Sequence, residues 1–274
     1  MNCYATITDL AARVSDAGSY VAQSLAILAA VSREIDAHCG RGFFTRIESR
    51  DFDVLHCGRV AIDDCLGLTG AGADSEGDET WDGEAWVEGT DYSLEPRNSW
   101  PRRMFVPMFN GRYSLSVRNR YLRLTGTWGY SDGESADPWR EPVGGNATVA
   151  TETGTTLTLS AAGVQAGMTL LVENEQMFVI AVAEDGLSAT VRRGLNGTRA
   201  AAHAAKAGYR ALYPPVVIDV AANVAAQRFK SLNPVDFKSE RIGDYSYERF
   251  GGGALEQYLG IEISRLGGAG LVAY

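Results

Sequence analysis

The sequence predicts an α+β protein, with a helical core built from both chain ends, a central β-rich arm and an inserted all-β domain. Three observations lead to this prediction. Apolar residues recur at helical spacing near both ends of the chain, over 20–35 and 216–229. Short extended runs separated by turns fill 42–130, which is typical of strands. Residues 142–212 then differ in composition, with many Thr, Val, Ala and Gly residues after a linker rich in Gly, Ser and Pro.

The N-terminal segment 5–38 is expected to be helical, with a short helix through Val14 and a longer helix that ends near Cys39. Gly40 can adopt the left-handed conformation that ends a helix, and an extended run starts at Phe43. The candidate capping residues are Thr8 or Asp9 for the first helix and Asp16 or Ser19 for the second. The apolar stripe of the longer helix consists of Tyr20, Ser24, Leu28, Val31 and Ile35.

Alternation of apolar and polar residues predicts several short strands in the β-rich arm. Asp82-Gly83 is a turn dipeptide that favours a hairpin between 81 and 84–87. The predicted strands cover 43–47, 50–55, 59–63, 104–106, 113–117 and 121–128.

Changes in composition also predict the domain limits. We expect residues 1–130 to hold the N-terminal helices and the β arm, 142–212 the inserted β domain, and 213–274 a core helix and a C-terminal arm. Pro214-Pro215 is expected to start that helix and Asn233-Pro234 to end it. In the insertion, strands at 155–159, 169–172, 176–180 and 189–191 are expected to form a small barrel or sandwich.

The C-terminal arm, 235–274, is too rich in Gly to hold a core of its own, but it carries large apolar side chains. We expect it to bury them against a partner protein. The residues expected at this assembly interface are Ile242, Tyr245, Tyr247, Phe250, Leu255, Tyr258 and Leu259.

The net charge of −9 argues against a protein that grips nucleic acid, because such proteins neutralise phosphates with clustered Lys and Arg. The charge is compatible with a ring that encloses DNA and repels it, although simple solubility is the more common cause of such a charge. No stretch approaches the ~20 apolar residues that span a bilayer, and the start of the chain has no basic and apolar signal regions. We therefore expect neither membrane insertion nor secretion.

Arginines cluster between residues 97 and 123, where they could form a solvated strand face or a contact face for an acidic partner. The acidic segment 74–95 would be a suitable partner in a neighbouring subunit. The residues expected in this inter-subunit contact are Arg97, Arg102 and Arg103 on one side and Asp78 and Glu79 on the other.

The sequence indicates no catalytic residues, no cofactor and no metal site. His38-Cys39 and His56-Cys57 could converge on zinc, but adjacent residues in an extended segment point to opposite faces. The acidic run 74–84 departs from the spacing of a calcium loop and could hold a weak cation or be a solvated loop. No nucleophile elbow, P-loop or dinucleotide fingerprint is present, and we expect His203 to have a structural or surface role.

Several segments resemble the head–tail connector (adaptor) proteins of tailed bacteriophages. Residues 35–44 (IDAHCGRGFF) are similar to the "ID…CGR.F" stretch that ends the N-terminal helix of that family. Residues 91–96 (DYSLEP) and 126–130 (GTWGY) are similar to its "DY.L.P" and "G.WGY" strands, in the same order. The proline-led helix and 242–247 (IGDYSY) also look connector-like, and 192–203 are similar to an "RG.NGT…H" signature of small β modules in phage virion proteins.

This resemblance covers roughly 1–130 and 213–265 and implies a structural virion protein, not an enzyme. By that likeness the chain forms a dodecameric homo-oligomeric ring that binds the portal protein above and a stopper or tail-completion protein below. DNA would pass through the lumen without sequence-specific binding, and no membrane would be involved. The expected location is the head–tail interface of a virion assembled in the cytoplasm of a bacterial host.

A different class of function is also open. The chain could be a carbohydrate- or ligand-binding virion module whose binding site lies on the inserted β domain. Trp139 and Tyr209 could then stack on a sugar ring.

Overall fold

The computed structural model describes residues 2–55, 58–81, 85–131, 137–232, 239–242, 245–248, 260–262, 264 and 266. Its helices are α1 (Ile7–Ala11), a 3₁₀ turn (Ser15–Gly18), α2 (Val21–Cys39) and α3 (Pro215–Leu232). The bounds of α3 confirm the helix predicted between Pro214-Pro215 and Asn233-Pro234.

The helix ends follow local signals, although the sequence analysis chose the wrong capping residues. Thr6 caps α1: its hydroxyl accepts a hydrogen bond from the Asp9 backbone N–H at 3.2 Å, and the Asp9 carboxylate accepts one from the Thr6 N–H at 2.7 Å. α1 ends at Ala11 instead of continuing to residue 14, and α2 follows Tyr20, which caps it with no side-chain hydrogen bond. The predicted end of α2 is confirmed, because Gly40 has φ of 66°. The predicted stripe of α2 is buried except for Tyr20, which is 54% exposed.

Five strands form an open antiparallel sheet with the order β1-β5-β2-β4-β3. β5 pairs with the whole of β1, from Arg46 opposite Trp128 to Val54 opposite Arg118, so the two strands predicted over 43–55 are one. Residues 113–117, which were predicted to form a strand, do not form one, and the predicted turn at Asp82-Gly83 lies outside the described residues. The strand bounds are β1 (Arg46–Val54), β2 (Val60–Ala73), β3 (Tyr92–Glu95), β4 (Arg102–Pro107) and β5 (Arg118–Trp128).

Six further strands close into a barrel with the order β10-β7-β6-β11-β8-β9. Its interior is filled by apolar side chains, among them the fully buried Leu157, Val172, Met177 and Val179. Buried residues alternate with more exposed ones in β7 and β10, whereas every residue of β8 is buried. The strands predicted between 155 and 191 are confirmed. The bounds are β6 (Arg140–Val149), β7 (Thr156–Leu159), β8 (Thr169–Val172), β9 (Glu175–Val182), β10 (Ser188–Arg192) and β11 (His203–Ala211).

The predicted fold class, a helical core with an inserted β domain, is wrong. The chain is mostly β, with 38% in strands and 22% in helices. The helices have no separate core, since the hydrophobic cluster between α2 and α3 also contains Phe43, just before β1, and Phe178 and Leu195 of the barrel region. The barrel also approaches the N-terminal helix closely, because a Cβ at Gly167 would lie 3.1 Å from the Thr6 Cα. The helices therefore cover β structure instead of forming the centre of the fold.

The described part of the C-terminal segment consists of a hairpin and a few helical residues. β12 (Ser239–Ile242) pairs with β13 (Tyr245–Glu248), and residues 260–262 are helical. Leu266 is fully buried in the main hydrophobic cluster, and the Asn223 side chain of α3 donates a hydrogen bond to Glu262 at 3.3 Å. Leu266 of this segment thus contributes to the core.

Candidate functional site: an arginine-rich cleft

A cleft of about 510 Å³ lies where the end of α2 meets the five-stranded sheet. This volume is within the ~300–1,000 Å³ typical of small-ligand sites. We call it the arginine-rich cleft, because its charged lining residues are Arg41, Arg46, Arg50, Arg103, Asp63 and Asp64. Phe44, Ile62 and Trp128 contribute apolar surface to it.

Two glycines allow the chain segments around the cleft to approach one another. Gly40 takes the left-handed conformation that turns the chain from α2 toward β1. Gly129 follows β5 with φ of 143°, and a Cβ there would lie 2.9 Å from the Phe44 carbonyl oxygen. The Gly129 N–H donates to the Asp64 carbonyl at 2.8 Å, which joins the end of β5 to β2.

Arg41 is the most deeply buried cation of the cleft, with a side chain only 7% exposed. Its guanidinium carbon lies 4.9 Å from the centre of the Tyr130 ring, and one terminal nitrogen lies 3.4 Å from Asp64 as an ion pair. Neither that nitrogen nor Nε has a hydrogen-bond partner among the described residues. A buried guanidinium with unsatisfied donors is costly unless something else supplies acceptors.

Arg50 and Arg103, by contrast, are paired within the chain. Arg50 donates to Glu48 at 2.7 and 2.8 Å and to Asp63 at 2.7 Å, and its guanidinium carbon lies 4.8 Å from the centre of the Trp128 ring. Arg103 Nε donates to Asp64 at 2.8 Å. Asp64 therefore serves two guanidinium groups at once.

Arg46 completes the charged lining. It is exposed, its guanidinium carbon lies 4.9 Å from the Phe44 ring centre, and it forms no ion pair with any carboxylate in the described ranges. The cleft is lined by four guanidinium groups and by the carboxylates of Asp63 and Asp64, and Glu48 pairs with Arg50 beside it. The positive charges therefore exceed the negative charges by one. The cleft is thus locally positive although the chain has a net charge of −9, and a locally positive cleft favours an anion.

Tyr4 fixes the turn between α2 and β1, which carries Arg41. Its hydroxyl donates to the Asp36 carboxylate and accepts the Phe43 backbone N–H at 3.0 Å. Burial raises the pKa of Asp36, although the hydrogen bond from Tyr4 and the nearby Arg33 act in the opposite direction. This arrangement places the turn that carries Arg41 without using Arg41 itself.

Sequence analysis did not single out this cleft. The quoted segment 35–44 contains Arg41, but nothing in the local pattern shows that β2, β4 and β5 return to it. The positions of Arg46 and Arg50 on one edge strand, four residues apart and so on one face, were the available signal.

The predicted assembly residues are only partly within the described chain. Ile242 lies opposite Tyr245, and Tyr247 lies opposite Glu240, in the β12–β13 hairpin. The remaining predicted residues, Phe250, Leu255, Tyr258 and Leu259, lie outside the described residues. Their role at an interface stays a prediction.

Most of the predicted inter-subunit charges have partners in their own chain. Arg102 pairs with Glu88 at 3.0 Å and Arg103 with Asp64 at 2.8 Å. Glu79 pairs with Arg120 at 3.2 Å, and Asp78 accepts hydrogen bonds from the Thr80 N–H and hydroxyl at 2.9 and 2.7 Å. Arg97 is exposed in the turn after β3. A contact between subunits would have to compete with these pairs, and it too stays a prediction.

His203 lies at the barrel and contacts two carboxylates that sequence analysis did not assign to it. Its ring nitrogens are 2.8 Å from Glu173 and 2.8 Å from Glu175. Glu175 also accepts two hydrogen bonds from Arg193, both at 2.6 Å. These contacts fasten the loop between β10 and β11, so the "RG.NGT…H" pattern has a structural explanation.

Neither metal alternative gains support from the geometry. Among the described residues, no three His, Cys, Asp or Glu side chains are placed to hold a metal ion. Cys39 is buried, and burial raises the pKa of its thiol to about 11, while His38 is exposed. His56 and Cys57 lie outside the described residues.

The aromatic pair proposed for sugar stacking is partly covered. The guanidinium carbon of Arg140 lies 4.7 Å from the Trp139 ring centre and 4.6 Å from the Tyr209 ring centre. One face of each ring is therefore occupied within the chain.

Comparison with family models, curated proteins and solved structures finds no match for this chain. In the described part of the chain, no helix has the length and apolar character needed to cross a membrane.

Proposed function

We propose that this chain is a structural virion protein that assembles into a ring-shaped head–tail adaptor between a portal and a stopper or tail protein. The observation that carries the proposal is that two separate segments of the connector resemblance meet in space. Tyr130, from the "G.WGY" segment, packs edge-on against Phe43 with ring centres 5.5 Å apart and against Arg41 at 4.9 Å. Both partners belong to the "ID…CGR.F" segment, so these two segments of the chain adjoin, and their contact supports the proposal.

The third segment, "DY.L.P", organises a loop at the far part of the sheet. Asp91 is fully buried and accepts hydrogen bonds from Arg112 at 2.6 and 3.0 Å, and these bonds hold the pKa of its carboxyl well below its usual range. The Asp91 carbonyl also accepts the Met108 N–H at 2.8 Å. The motif thereby fixes the loop that carries Phe109.

Phe109 is fully exposed, which is unusual for a large apolar side chain. Leu55 and Val117, which flank the paired residues Val54 and Arg118, are 68% and 61% exposed. Gly58, three residues after Leu55 in the chain, lines a cavity together with Phe109. We call the three exposed side chains Leu55, Phe109 and Val117 the apolar tip, and we propose that an assembly covers them.

The charge of the chain is compatible with this role. A ring of subunits that each carry a net charge of −9 would present a negative lumen to DNA. Repulsion between like charges keeps the duplex from binding to the wall.

The test is the oligomeric state of the purified chain, measured by light scattering after size exclusion and by electron microscopy, with and without a portal ring. Wild-type protein should form rings or bind the portal, and Phe109→Ser should weaken this without lowering thermal stability. Leu187→Ser is the matched control, because Leu187 is 41% exposed on the barrel, away from the apolar tip. A chain that stays monomeric at all concentrations and ignores the portal would contradict the proposal.

A further inference from the structure

We propose that the arginine-rich cleft is a binding site for a carboxylate that is carried by an acidic polypeptide segment. This inference rests on the geometry of the cleft and goes beyond the adaptor function, which does not require it. Its elements are a buried cation with open donors, an excess of one positive charge, and apolar walls.

Arg41 supplies the first element. Its side chain is 93% removed from solvent, since only 7% is exposed, yet Nε and one terminal nitrogen have no hydrogen-bond acceptor in the described chain. Asp64 forms an ion pair with Arg41 through Oδ2 at 3.4 Å but no hydrogen bond with it, while Asp64 Oδ1 accepts from Arg103 at 2.8 Å. Both nitrogens have almost no exposed surface, so an incoming oxygen pair reaches them only if the Arg41 side chain turns into the cleft, where it would satisfy donors that have no partner in the described chain.

The charge of the cleft favours a carboxylate over a phosphate. A guanidinium binds either group in a bidentate manner. Asp63 and Asp64 line the same cleft, however, and would lie close to a bound phosphate dianion. Each carboxylate brings one negative charge where a phosphate dianion brings two, so the group beside Asp63 and Asp64 is repelled less.

The size and walls of the cleft favour a peptide over a free small acid. The cleft has about 510 Å³ of volume and includes Phe44, Ile62 and Trp128, which can contact the carbon atoms of a side-chain stem and its neighbours. Arg46 is exposed at the edge and has no ion pair among the described residues, so it is free to meet a second acidic side chain of the segment. Acidic segments with several carboxylates satisfy both requirements.

The test is isothermal titration calorimetry on the full chain with a blocked peptide of sequence Asp-Ser-Glu-Gly-Asp-Glu, which is that of residues 74–79. The control peptide has Asn and Gln in place of Asp and Glu. We expect the acidic peptide to bind at least tenfold more tightly than the amide peptide, and its affinity to fall as salt is raised. Equal binding of the two peptides, or no binding of either at millimolar concentration, would overturn the proposal.

Variants of the lining residues test whether the peptide binds in the cleft. Arg46→Gln should weaken peptide binding about tenfold without affecting the fold, since Arg46 is exposed, and Arg41→Gln should abolish binding if circular dichroism shows that it folds. Arg192→Gln is the matched control, because Arg192 is exposed on the barrel. An equal effect of Arg46→Gln and Arg192→Gln would show non-specific attraction and refute the site.

Inorganic phosphate and a short single-stranded oligonucleotide serve as competitors. If either binds more tightly than the acidic peptide and Arg46→Gln removes that binding, the cleft is a phosphate site and the carboxylate assignment is wrong. None of these outcomes bears on ring formation, which the oligomeric state tests separately.

Discussion

Replacing Glu175 by Gln tests whether the barrel loop depends on one buried carboxylate. Glu175 is 1% exposed and lies between the bidentate Arg193 and His203. Its oxygens also accept the Gly194 N–H at 3.0 Å and the Ala201 N–H at 3.1 Å. Gln preserves the size of the side chain but removes the charge and replaces one acceptor with a donor that faces a guanidinium.

The expected cost follows from what the variant leaves behind. The Arg193 side chain is 7% exposed, so it would remain buried without its counter-charge. Removing one partner of a buried ion pair lowers the free energy of unfolding by about 3–5 kcal/mol. For a chain of this size, this corresponds to a fall in melting temperature of roughly 6–20 °C.

The assay is urea unfolding at several pH values, followed by circular dichroism. Burial raises the pKa of Glu175, but the hydrogen bonds from Arg193 and His203 outweigh it, so the pKa is lowered from its ordinary value of 4.5. A carboxyl with a lowered folded pKa stabilises the fold above its unfolded pKa, and this contribution is lost as the pH falls through the folded value. The difference between wild type and Glu175→Gln should therefore be full near neutral pH and shrink in acid below about 4.5.

Two comparisons make the result decisive. Glu152→Gln changes an exposed Glu in the turn between β6 and β7 and should alter the free energy of unfolding by less than about 0.5 kcal/mol. Replacing Glu175 and Arg193 together by Leu and Met should recover part of the loss, because no unpaired charge remains. If Glu175→Gln costs no more than Glu152→Gln, the loop is held by packing and the reasoning is wrong.

Three further predictions concern packing and charge. Gly126→Ala should prevent or severely weaken folding, because its Cβ would lie 2.2 Å from the Gly67 carbonyl oxygen, whereas Gly70→Ala, whose nearest neighbour is a Thr125 side-chain carbon at 3.7 Å, should leave the melting temperature within a few degrees. Leu266→Ala should lower the free energy of unfolding by about 2–5 kcal/mol, since Leu266 is fully buried, and the exposed Ile261→Ala should have little effect in the same urea titration; equal effects would show that the C-terminal residues do not join the core. Arg97→Glu should weaken self-association more at low salt than at high salt in sedimentation measurements, because salt screens a lost attraction between exposed charges, and a salt-independent change would favour packing over charge at the interface.

Features that depend on neighbouring residues could be predicted from the sequence. The end of α2 at Gly40 follows from the ability of Gly to adopt positive φ, and the buried stripe of α2 follows from helical periodicity. The strands of the barrel were predicted for the same reason, since alternation and turn residues act over a few positions. Both signals are local, and tertiary contacts did not override them here.

The fold class could not be predicted in this way, because strand pairing is not local. β1 is a single long strand since β5 pairs along all of it, although 72 residues separate Asp51 from the Arg123 that binds it. The barrel region contributes Phe178 and Leu195 to the main hydrophobic cluster. No local sequence pattern shows that these two residues pack near α2. The sequence analysis relied on the amphipathic helices and so predicted a helical core, whereas the chain is mostly β.

The candidate site shows the same division most clearly. The sequence by itself determined the glycine turn after α2 and the presence of Arg41 in it. Only the tertiary structure decided that Arg103 and Asp64 meet Arg41, because β2, β4 and β5 reach the turn through sheet pairing. The charges of the cleft have the same origin: Arg46 and Arg50 come from β1, Arg103 from β4, and Asp63 and Asp64 from β2. Asp64 contacts both Arg41 and Arg103 there.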